Sequence, residues 1–326
     1  MTPVWRIVVR RLANAVPVLV IVAVGLYCLL ELAPGDAVDA YLSGSGAGDA
    51  GLVAQLRQQW GLDRSFGARL VSYLLSLLTL DFGWSVAFSR PVREVVLDRM
   101  GNTLLLMSAA ISFSFCAGTL LGVMAGSRPR SWRDRVLSLL SLALYAAPGF
   151  WLGLMMIVVF AVKLSWFPLG GIATIGEPRV GLDRVLDMAW HLTLPAAALG
   201  LVYLALYLRL MRAGMLEAWR SDYVRTARAK GLTRRRIVWR HVARNALLPV
   251  VTMLGLQAAA MLGGSVVVES VFAIPGLGRL AYEAVRQRDV PLLLGIILAG
   301  TLLVILVNLL VDLAYARLDP RVVVGS

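Results

Sequence analysis

The sequence is dominated by apolar runs of about 20 residues, the length of helix that crosses the hydrocarbon core of a bilayer. Apolar residues make up 59% of the 326-residue chain, against roughly 45–50% in soluble domains. Because backbone groups in a bilayer interior must bond to one another, unbroken apolar runs of this length favour helices. The sequence therefore predicts an all-α polytopic membrane protein with six transmembrane helices. The predicted spans are residues 12–30, 103–126, 136–162, 192–211, 247–268 and 291–313.

The regions of the chain follow from these spans. Residues 1–31 comprise a cytoplasmic N-terminus and the first span, which exceeds the apolar core of a signal peptide and is followed by no A-x-A cleavage site. Residues 32–101 are predicted as a small extracytoplasmic helical region, because apolar residues recur at helical spacing between Leu70 and Leu78. The remaining predicted regions are a core of five spans, 102–315, which includes a cytoplasmic loop at 209–246, and a cytoplasmic tail, 316–326.

Three local signals predict details of the spans. Asn102–Thr103 is a helix N-cap pattern at the start of the second span. Pro148–Gly149 lies in the middle of the third span and predicts a kink, because proline removes a backbone hydrogen bond. Pro195 is placed in the first turn of the fourth span, where its missing N–H has no intrahelical partner to lose.

Charge is sorted along the chain in a way that predicts its orientation. The predicted cytoplasmic segments carry 20 basic and 5 acidic residues, and the predicted external segments carry 12 and 14. Positive residues concentrate on the cytoplasmic side of membrane proteins, so both termini are predicted to be cytoplasmic. The same sorting explains the net charge of +13 without a nucleic-acid partner.

The residue inventory argues against catalysis by this chain. Cys28, Cys116, His191 and His241 form no metal-binding pattern, so no metal or cofactor is expected. The sequence contains no phosphate-binding loop and no Ser/His/Asp constellation within one segment. Active transport would therefore draw its energy from another polypeptide. An ion-coupled secondary transporter is the alternative from a different class, and it is disfavoured because Asp312 is the only carboxylate predicted near membrane depth.

The most basic segment, residues 220–249, lies between the fourth and fifth predicted spans and is called the basic loop here. Gly231 followed by Thr233 predicts the end of one short helix and the N-cap of another. A loop that only fixes topology needs charge alone, whereas a docking surface also needs apolar residues at fixed spacing. Apolar residues recur at helical spacing in both halves of the loop. The loop is therefore predicted to form two short amphipathic helices that dock a partner.

The basic loop resembles the EAA loop of the membrane permease subunits of ABC importers for dipeptides, oligopeptides and nickel, in particular the first permease of each pair. Arg225 stands where the general motif has glutamate and Thr226 where it has its first alanine, as in the peptide-importer form. The motifs that carry the resemblance are Arg225–Leu232, Arg235–Ile237, His241, Ala246–Pro249, Ala33–Asp36, Gly61–Asp63, Asp81–Gly83, Glu269–Phe272, Pro275–Gly278, Arg288–Asp289 and Asp319–Pro320.

The resemblance implies a non-catalytic subunit that forms half of the translocation pathway for short peptides in a bacterial plasma (inner) membrane. Import of nickel chelates or another small solute by the same machinery is the alternative. The implied partners are a second homologous permease, two ABC ATPase subunits that hydrolyse ATP, an extracytoplasmic substrate-binding protein and the lipid bilayer.

The resemblance also implies two groups of site residues. The ATPase-coupling residues are Ser221, Asp222, Tyr223, Arg225, Thr226, Ala227, Ala229, Lys230, Gly231, Leu232, Arg235 and Arg236, with Ala227 predicted to lie on an apolar face that meets the ATPase. The external residues are Glu269, Pro275, Gly276 and Gly278. They are predicted either to meet the binding protein or close the mouth of the pathway, or to form a plain connecting turn.

Overall fold

A computed structural model describes residues 3–32, 65–79, 81–176 and 179–318. The family motifs at Ala33–Asp36, Gly61–Asp63 and Asp319–Pro320 lie outside these residues. The helices are α1 (Pro3–Glu31), α2 (Phe66–Leu78), α3 (Val92–Ser127), α4 (Trp132–Ala146), α5 (Gly149–Met156), α6 (Gly181–Ala218), α7 (Asp222–Ala229), α8 (Arg234–Arg236), α9 (Ala243–Val271), α10 (Leu277–Arg286) and α11 (Val290–Leu318). The strands β1 (Trp84–Ser85) and β2 (Arg90–Pro91) pair antiparallel, and π-helical turns continue α5 over Ile157–Lys163 and α8 over Ile237–Val242. The predicted all-α class is confirmed.

Four helices in the described part of the chain are long and apolar enough to cross a membrane singly: α1, α3, α6 and α11. The other two predicted spans are bent pairs. The helices Trp132–Ala146 and Gly149–Lys163 meet at 105°, and the helix from Arg234 to Val271 bends by 56° between Gln257 and Ala259. Six spans result when each bent pair is counted as one.

The kink predicted at Pro148–Gly149 is confirmed, and it is sharp enough to interrupt the helix. Ala147 and Pro148 both adopt extended backbone angles, with ψ of 134° and 132°. Proline disfavours helical geometry in the residue before it and donates no hydrogen bond to the preceding turn. Helix α4 therefore stops at Ala146, and α5 starts in a new direction at Gly149.

Several helices begin before the predicted spans, and two of these earlier starts overturn a predicted detail. Helix α3 begins at Val92, so the N-cap predicted at Asn102–Thr103 is wrong. Helix α6 begins at Gly181, which places Pro195 inside the helix rather than in its first turn. Both added stretches are polar enough to interrupt the apolar run. Hydropathy detects only the part of a helix that matches the bilayer and is insensitive to turns beyond it.

The described residues divide into two compact units. The first unit takes its residues from Met1–Gly101 and Gly276–Leu309. Its core joins the start of α3 to α10 and the start of α11, with members such as Val92, Leu280 and Leu292. In the same unit Tyr27 of α1 stacks on Tyr73 of α2, with ring centroids 5.2 Å apart.

Asp289 organises the loop end of the first unit. Its buried carboxylate accepts hydrogen bonds from the Ser85 hydroxyl at 2.6 Å and from the backbone N–H of Ala87 at 3.0 Å. It also accepts the N–H of Leu292 at 3.1 Å, in the first turn of α11. One side chain thus caps a membrane helix and holds the β1–β2 hairpin against it.

The second unit takes its residues from Asn102–Pro275 and Leu310–Ser326 and is built around α6. Gly118, Gly122 and Gly126 of α3 recur every fourth residue and face this helix. A Cβ atom at Gly122 would lie 2.6 Å from the Cβ of Met211, and one at Gly126 would lie 2.5 Å from the Cβ of Met215. Both distances are shorter than real Cβ contacts, so only glycine permits this approach of the two helices.

Candidate functional site

Six of the predicted coupling residues lie in the short helix α7, which packs against the spans of the second unit, and Arg235 and Arg236 lie in α8. Helix α7 begins after Ser221, whose backbone is extended as an N-cap requires, although its side chain makes no capping hydrogen bond. The helix buries Val224 and Ala227 in a cluster with residues of α6 and α9. Ile237, in the turn after α8, is buried in the same cluster. The first short amphipathic helix predicted in the basic loop is therefore confirmed. The second is not a separate short helix, because from Arg234 the chain continues without a break into the fifth span.

The apolar face of α7 packs against the rest of the chain, whereas the sequence suggested that it points outward toward a partner. Ala227 is 4% exposed and packs inside the chain, so the prediction that it lies on a face that meets the ATPase is wrong. The spacing of apolar residues identifies the apolar face of a helix. It does not show whether that face is buried by the same chain or by another subunit. The exposed face carries Asp222, Tyr223, Arg225, Thr226, Ala229 and Lys230.

Gly231 ends α7 as predicted. Its φ is +72°, and its N–H donates to the carbonyl of Arg228 at 2.9 Å. The N–H of Leu232 donates back to the carbonyl of Ala227 at 3.2 Å. These two bonds define a Schellman C-cap, and the side chains of Leu232 and Ala227 belong to the same apolar cluster, as that motif favours. Thr233 takes the predicted N-cap position of α8 with an extended backbone but makes no side-chain capping bond.

Trp219 connects the basic loop to the end of α3. Its indole N–H donates to the carbonyl of Gly126 at 2.9 Å. The guanidinium carbons of Arg228 and Arg234 lie 5.2 and 5.9 Å from its ring centroid, within cation–π range. Arg234 also donates to the carbonyl of Ser127 at 2.7 Å. These contacts fix both helices of the loop to a transmembrane helix.

A second connection joins the start of α4 to α6. The guanidinium of Arg212 makes two hydrogen bonds to the buried carboxylate of Asp134, one of them 3.1 Å long. The backbone N–H of Arg130 donates to the same carboxylate at 2.9 Å. The sequence analysis found neither this pair nor the role of Trp219, because partners 78 and 93 residues apart leave no local pattern.

The external residues are more buried than predicted. Glu269 is fully buried near the end of α9, where it accepts a hydrogen bond from the Thr103 hydroxyl at 2.8 Å. The carbonyl of Pro275 accepts a hydrogen bond from the Asn102 side chain at 2.8 Å. Asn102 and Thr103, which were predicted to cap a helix, therefore connect α3 to the segment after α9 and to the end of α9 itself. Glu269 is also a second carboxylate near a span, which the sequence analysis placed in a loop.

Gly276 and Gly278 do not form an exposed turn. Gly276 precedes α10, and Gly278 lies in its first turn. Both glycines are buried, so the prediction that they present a surface to a binding protein is wrong. Proline and glycine close together indicate a turn, but here a helix starts within the motif.

A folded loop covers the same end of the second unit. The N–H of Gly171 donates to the carbonyl of Phe272 at 2.8 Å, and a Cβ at Gly170 would lie 2.3 Å from that oxygen. The buried carboxylate of Asp187 accepts hydrogen bonds from Thr174 and Arg179. The loop before α6 is thereby fixed against the end of α9.

Comparison with known proteins establishes the family. Residues 118–324 match the model of the binding-protein-dependent transport system inner membrane component. The chain belongs to this family. The permease is also 38% identical to a predicted peptide permease of Brucella ovis, over 97% of this chain and 98% of that protein. The family implied by the basic loop is therefore confirmed, and the permease is a multi-pass membrane protein of the ABC importer type.

Two further relatives support the assignment, and one solved structure shares the fold. The permease is 35% identical to the oligopeptide transport system permease AppB of Bacillus subtilis and 37% identical to the glutathione transport system permease GsiC of Salmonella choleraesuis. Each match covers 97% of this chain and 98% of the relative. An inward-facing structure of the MetNI methionine ABC transporter has a TM-score of 0.56 at 18% identity and covers 70% of this chain and 97% of that one. This likeness shows a shared fold.

Proposed function

We propose that the permease forms half of the translocation pathway of an ATP-driven importer of short peptides, and that α7 couples it to an ATPase subunit. Relatives aligned over 97% of the chain are named for peptides, oligopeptides and glutathione. In this proposal a second, homologous permease completes the pathway, two ATPase subunits supply the energy, and a binding protein delivers the peptide. The permease itself is not catalytic, and both of its termini lie in the cytoplasm of a bacterium.

The observation that carries the proposal is that α7 is both fixed and exposed. Val224 and Ala227 lock its inner face into the core of the second unit, and Trp219 connects the loop to α3. Its other face is open to solvent. A helix mounted in this way transmits a displacement at its surface to the spans as a rigid body, which is what coupling ATP hydrolysis to transport requires.

Tyr223 is the contact residue most worth testing on the exposed face. Its side chain is 38% exposed, and tyrosine is among the residues that carry most of the energy at protein interfaces. The ion pair between Arg225 and Asp222 is almost fully solvated, and such pairs contribute little on their own. We therefore expect Tyr223 to dominate attachment of the ATPase and the charged residues to guide its approach.

The test is co-purification of ATPase subunits with the tagged permease, combined with peptide-stimulated ATP hydrolysis. Tyr223→Ala is expected to lower retention of the ATPase by about tenfold or more, since interface anchors contribute about 2 kcal/mol. Tyr282→Ala is the matched control, because Tyr282 is an exposed tyrosine on α10. Equal retention by both variants would refute docking through α7.

Uptake assays with the same preparation test the substrate and the energy source. Labelled short peptides should be imported in an ATP-dependent way. Preferential uptake of a nickel chelate would instead assign the permease to a nickel importer of the same family. Uptake that collapses with an uncoupler while ATP is held constant would favour ion-coupled transport instead. The side chain of Asp312, the carboxylate considered for such coupling, lies outside the described residues.

Among the roles considered for the external residues, closing the mouth of the pathway is the one that their contacts favour. We propose that Glu269 and Pro275 help to close the external end of the second unit through their bonds to Thr103 and Asn102. Gly276 and Gly278 are buried. In this proposal they contribute to closing the mouth of the pathway and do not bind a partner directly.

A further inference from the structure

A groove of about 500 Å³ lies where α3, α6 and the beginning of α9 meet in the second unit. Its apolar wall includes Val123 of α3, Met211 of α6 and Leu247 of α9. Two arginines, Arg240 and Arg244, also line it. We call this site the α3–α9 groove. It is distinct from the exposed face of α7, which the proposed function assigns to the ATPase.

The groove continues into a more polar surface at the basic end. Trp239 and Arg240 line the α3–α9 groove and also an adjoining depression that contains Arg235 and Arg236. The combined site therefore joins an apolar channel, bordered by Arg240 and Arg244, to a depression lined by Arg235, Arg236 and Arg240. This is an amphipathic arrangement, and it suits a ligand that is itself part apolar and part anionic.

The four arginines have no acidic partner in the described part of the chain. Its ion pairs engage other arginines, for example Arg212 with Asp134 and Arg225 with Asp222. Like charges one helical turn apart repel each other, and Arg240 and Arg244 are four positions apart. A bound anion would offset this repulsion, and guanidinium groups bind phosphate oxygens in two-pronged geometry.

The channel reaches membrane depth. Thr119, which lines it, lies eight residues before Ser127, the last residue of α3. At 1.5 Å per residue, the channel extends about 12 Å from the helix end toward the bilayer centre. Trp239 stands at the mouth with 52% of its surface exposed, and tryptophan is enriched at the level of lipid headgroups.

We propose that the α3–α9 groove binds an anionic phospholipid. Its phosphate lies between Arg240 and Arg244, and one acyl chain follows the channel past Val123 and Leu247. The cytoplasmic leaflet is anionic and attracts basic segments next to membrane helices, and the basic loop is predicted to lie on that side. A soluble subunit would contact the exposed tip of the loop but would not fill an apolar channel at membrane depth.

The test uses the complex purified through a tag on the full-length chain and inserted into phosphatidylcholine nanodiscs. Two nanodisc preparations are compared. One contains phosphatidylglycerol with brominated acyl chains, and the other contains the same fraction of phosphatidylcholine with brominated acyl chains. The bromine atoms quench tryptophan fluorescence at short range. Subtracting the quenching of the Trp239→Phe variant isolates the signal of Trp239. Brominated phosphatidylglycerol is expected to quench Trp239 several-fold more strongly than brominated phosphatidylcholine.

Paired charge variants test the specificity of the site. Arg240→Gln combined with Arg244→Gln is expected to abolish the several-fold preference for phosphatidylglycerol, because it removes two arginines near the headgroup. Arg135→Gln combined with Arg220→Gln removes the same charge from two exposed arginines outside the groove. The control is expected to keep the preference.

Three results would overturn the proposal. Equal quenching of Trp239 by the two brominated lipids would show that the groove does not distinguish an anionic from a zwitterionic headgroup. If both double variants lost the preference for phosphatidylglycerol equally, the preference would come from the overall positive charge of the surface and not from this groove. Absence of quenching by either lipid would mean that protein fills the groove, as an interface with another subunit would.

Discussion

At the scale of single residues, Gly231 has the most clearly defined task. Its φ of +72° lies in the left-handed region, which costs a residue with a Cβ about 1–2 kcal/mol. A Cβ built at this position meets no atom within 4 Å, so the cost of a substitution comes from the backbone and not from crowding. The position therefore separates conformational preference from packing.

We predict that Gly231→Val loosens the basic loop and that Gly231→Asn does not. Valine disfavours positive φ strongly, whereas asparagine is among the residues that tolerate it. The measurement is the rate of limited trypsin cleavage at Arg234–Arg236 in membranes that expose the loop. Val should raise this rate by about tenfold, in line with 1–2 kcal/mol of local destabilisation.

Similar cleavage rates for Gly231→Val, Gly231→Asn and the unmodified permease would contradict the C-cap description. Membrane abundance serves as the control, since the Schellman bonds involve only residues of the basic loop. A fall in abundance of the valine variant would show that the loop is needed for insertion.

At the scale of elements, the contact of α3 with α6 depends on a row of glycines. Gly118, Gly122 and Gly126 let the α3 backbone approach Tyr207, Met211 and Met215. Such close approach is how membrane helices gain packing energy when lipid offers no hydrophobic driving force. The row therefore determines the geometry of the second unit, including the carbonyl of Gly126 that receives the Trp219 indole.

We predict that Gly122→Val destabilises the permease and that Gly101→Val, on the same helix, has little effect. At Gly122 a Cβ would lie 2.8 Å from the backbone oxygen of Leu208, and backbone cannot move aside easily. At Gly101 no atom lies within 4 Å. Overpacking typically costs 1–3 kcal/mol, so the midpoint of thermal unfolding, followed by size-exclusion chromatography, should fall by several degrees. Equal midpoints for the two variants would refute close packing at Gly122.

The elements also show how far the sequence could be interpreted. Hydropathy located all six apolar segments, because each is a continuous run of apolar residues. Pro148 predicted a helix break and Gly231 predicted a helix end, because each of these signals lies in one or two residues. The start of α3 at Val92 was missed because its first turns mix charged and apolar residues. The glycine row has a visible spacing of four, but its partner, α6, follows only from the three-dimensional packing.

The candidate site shows the same limit. The basic loop and its candidate coupling residues could be picked out from the sequence, yet the orientation of α7 could not. Burial of Ala227 depends on residues of α6 and α9 that close over it. Likewise, Glu269 resembled an external charge because the sequence contains no local sign of its bond to Thr103, 166 residues away.

At the scale of the whole molecule, the distribution of charge predicts the orientation in the membrane. The cytoplasmic assignment of the basic loop follows from 20 basic and 5 acidic residues in the segments predicted to lie inside. Both the attachment of an ATPase to α7 and the anionic lipid at Arg240 require this orientation. Its measurement therefore bears on two proposals at once.

We predict that a cysteine at Ile175 is labelled by a membrane-impermeant maleimide in intact cells with a permeable outer envelope, and that one at Thr233 is labelled only after the membrane is opened. Ile175 is 98% exposed in the loop before α6, and Thr233 is exposed in the basic loop. Cys28 and Cys116 are first replaced by serine, and Tyr282→Cys provides a second external position. Labelling of Thr233→Cys in sealed cells, with protection of Ile175→Cys, would reverse the topology. The exposed face of α7 would then lie away from cytoplasmic ATP, and coupling through it would be impossible.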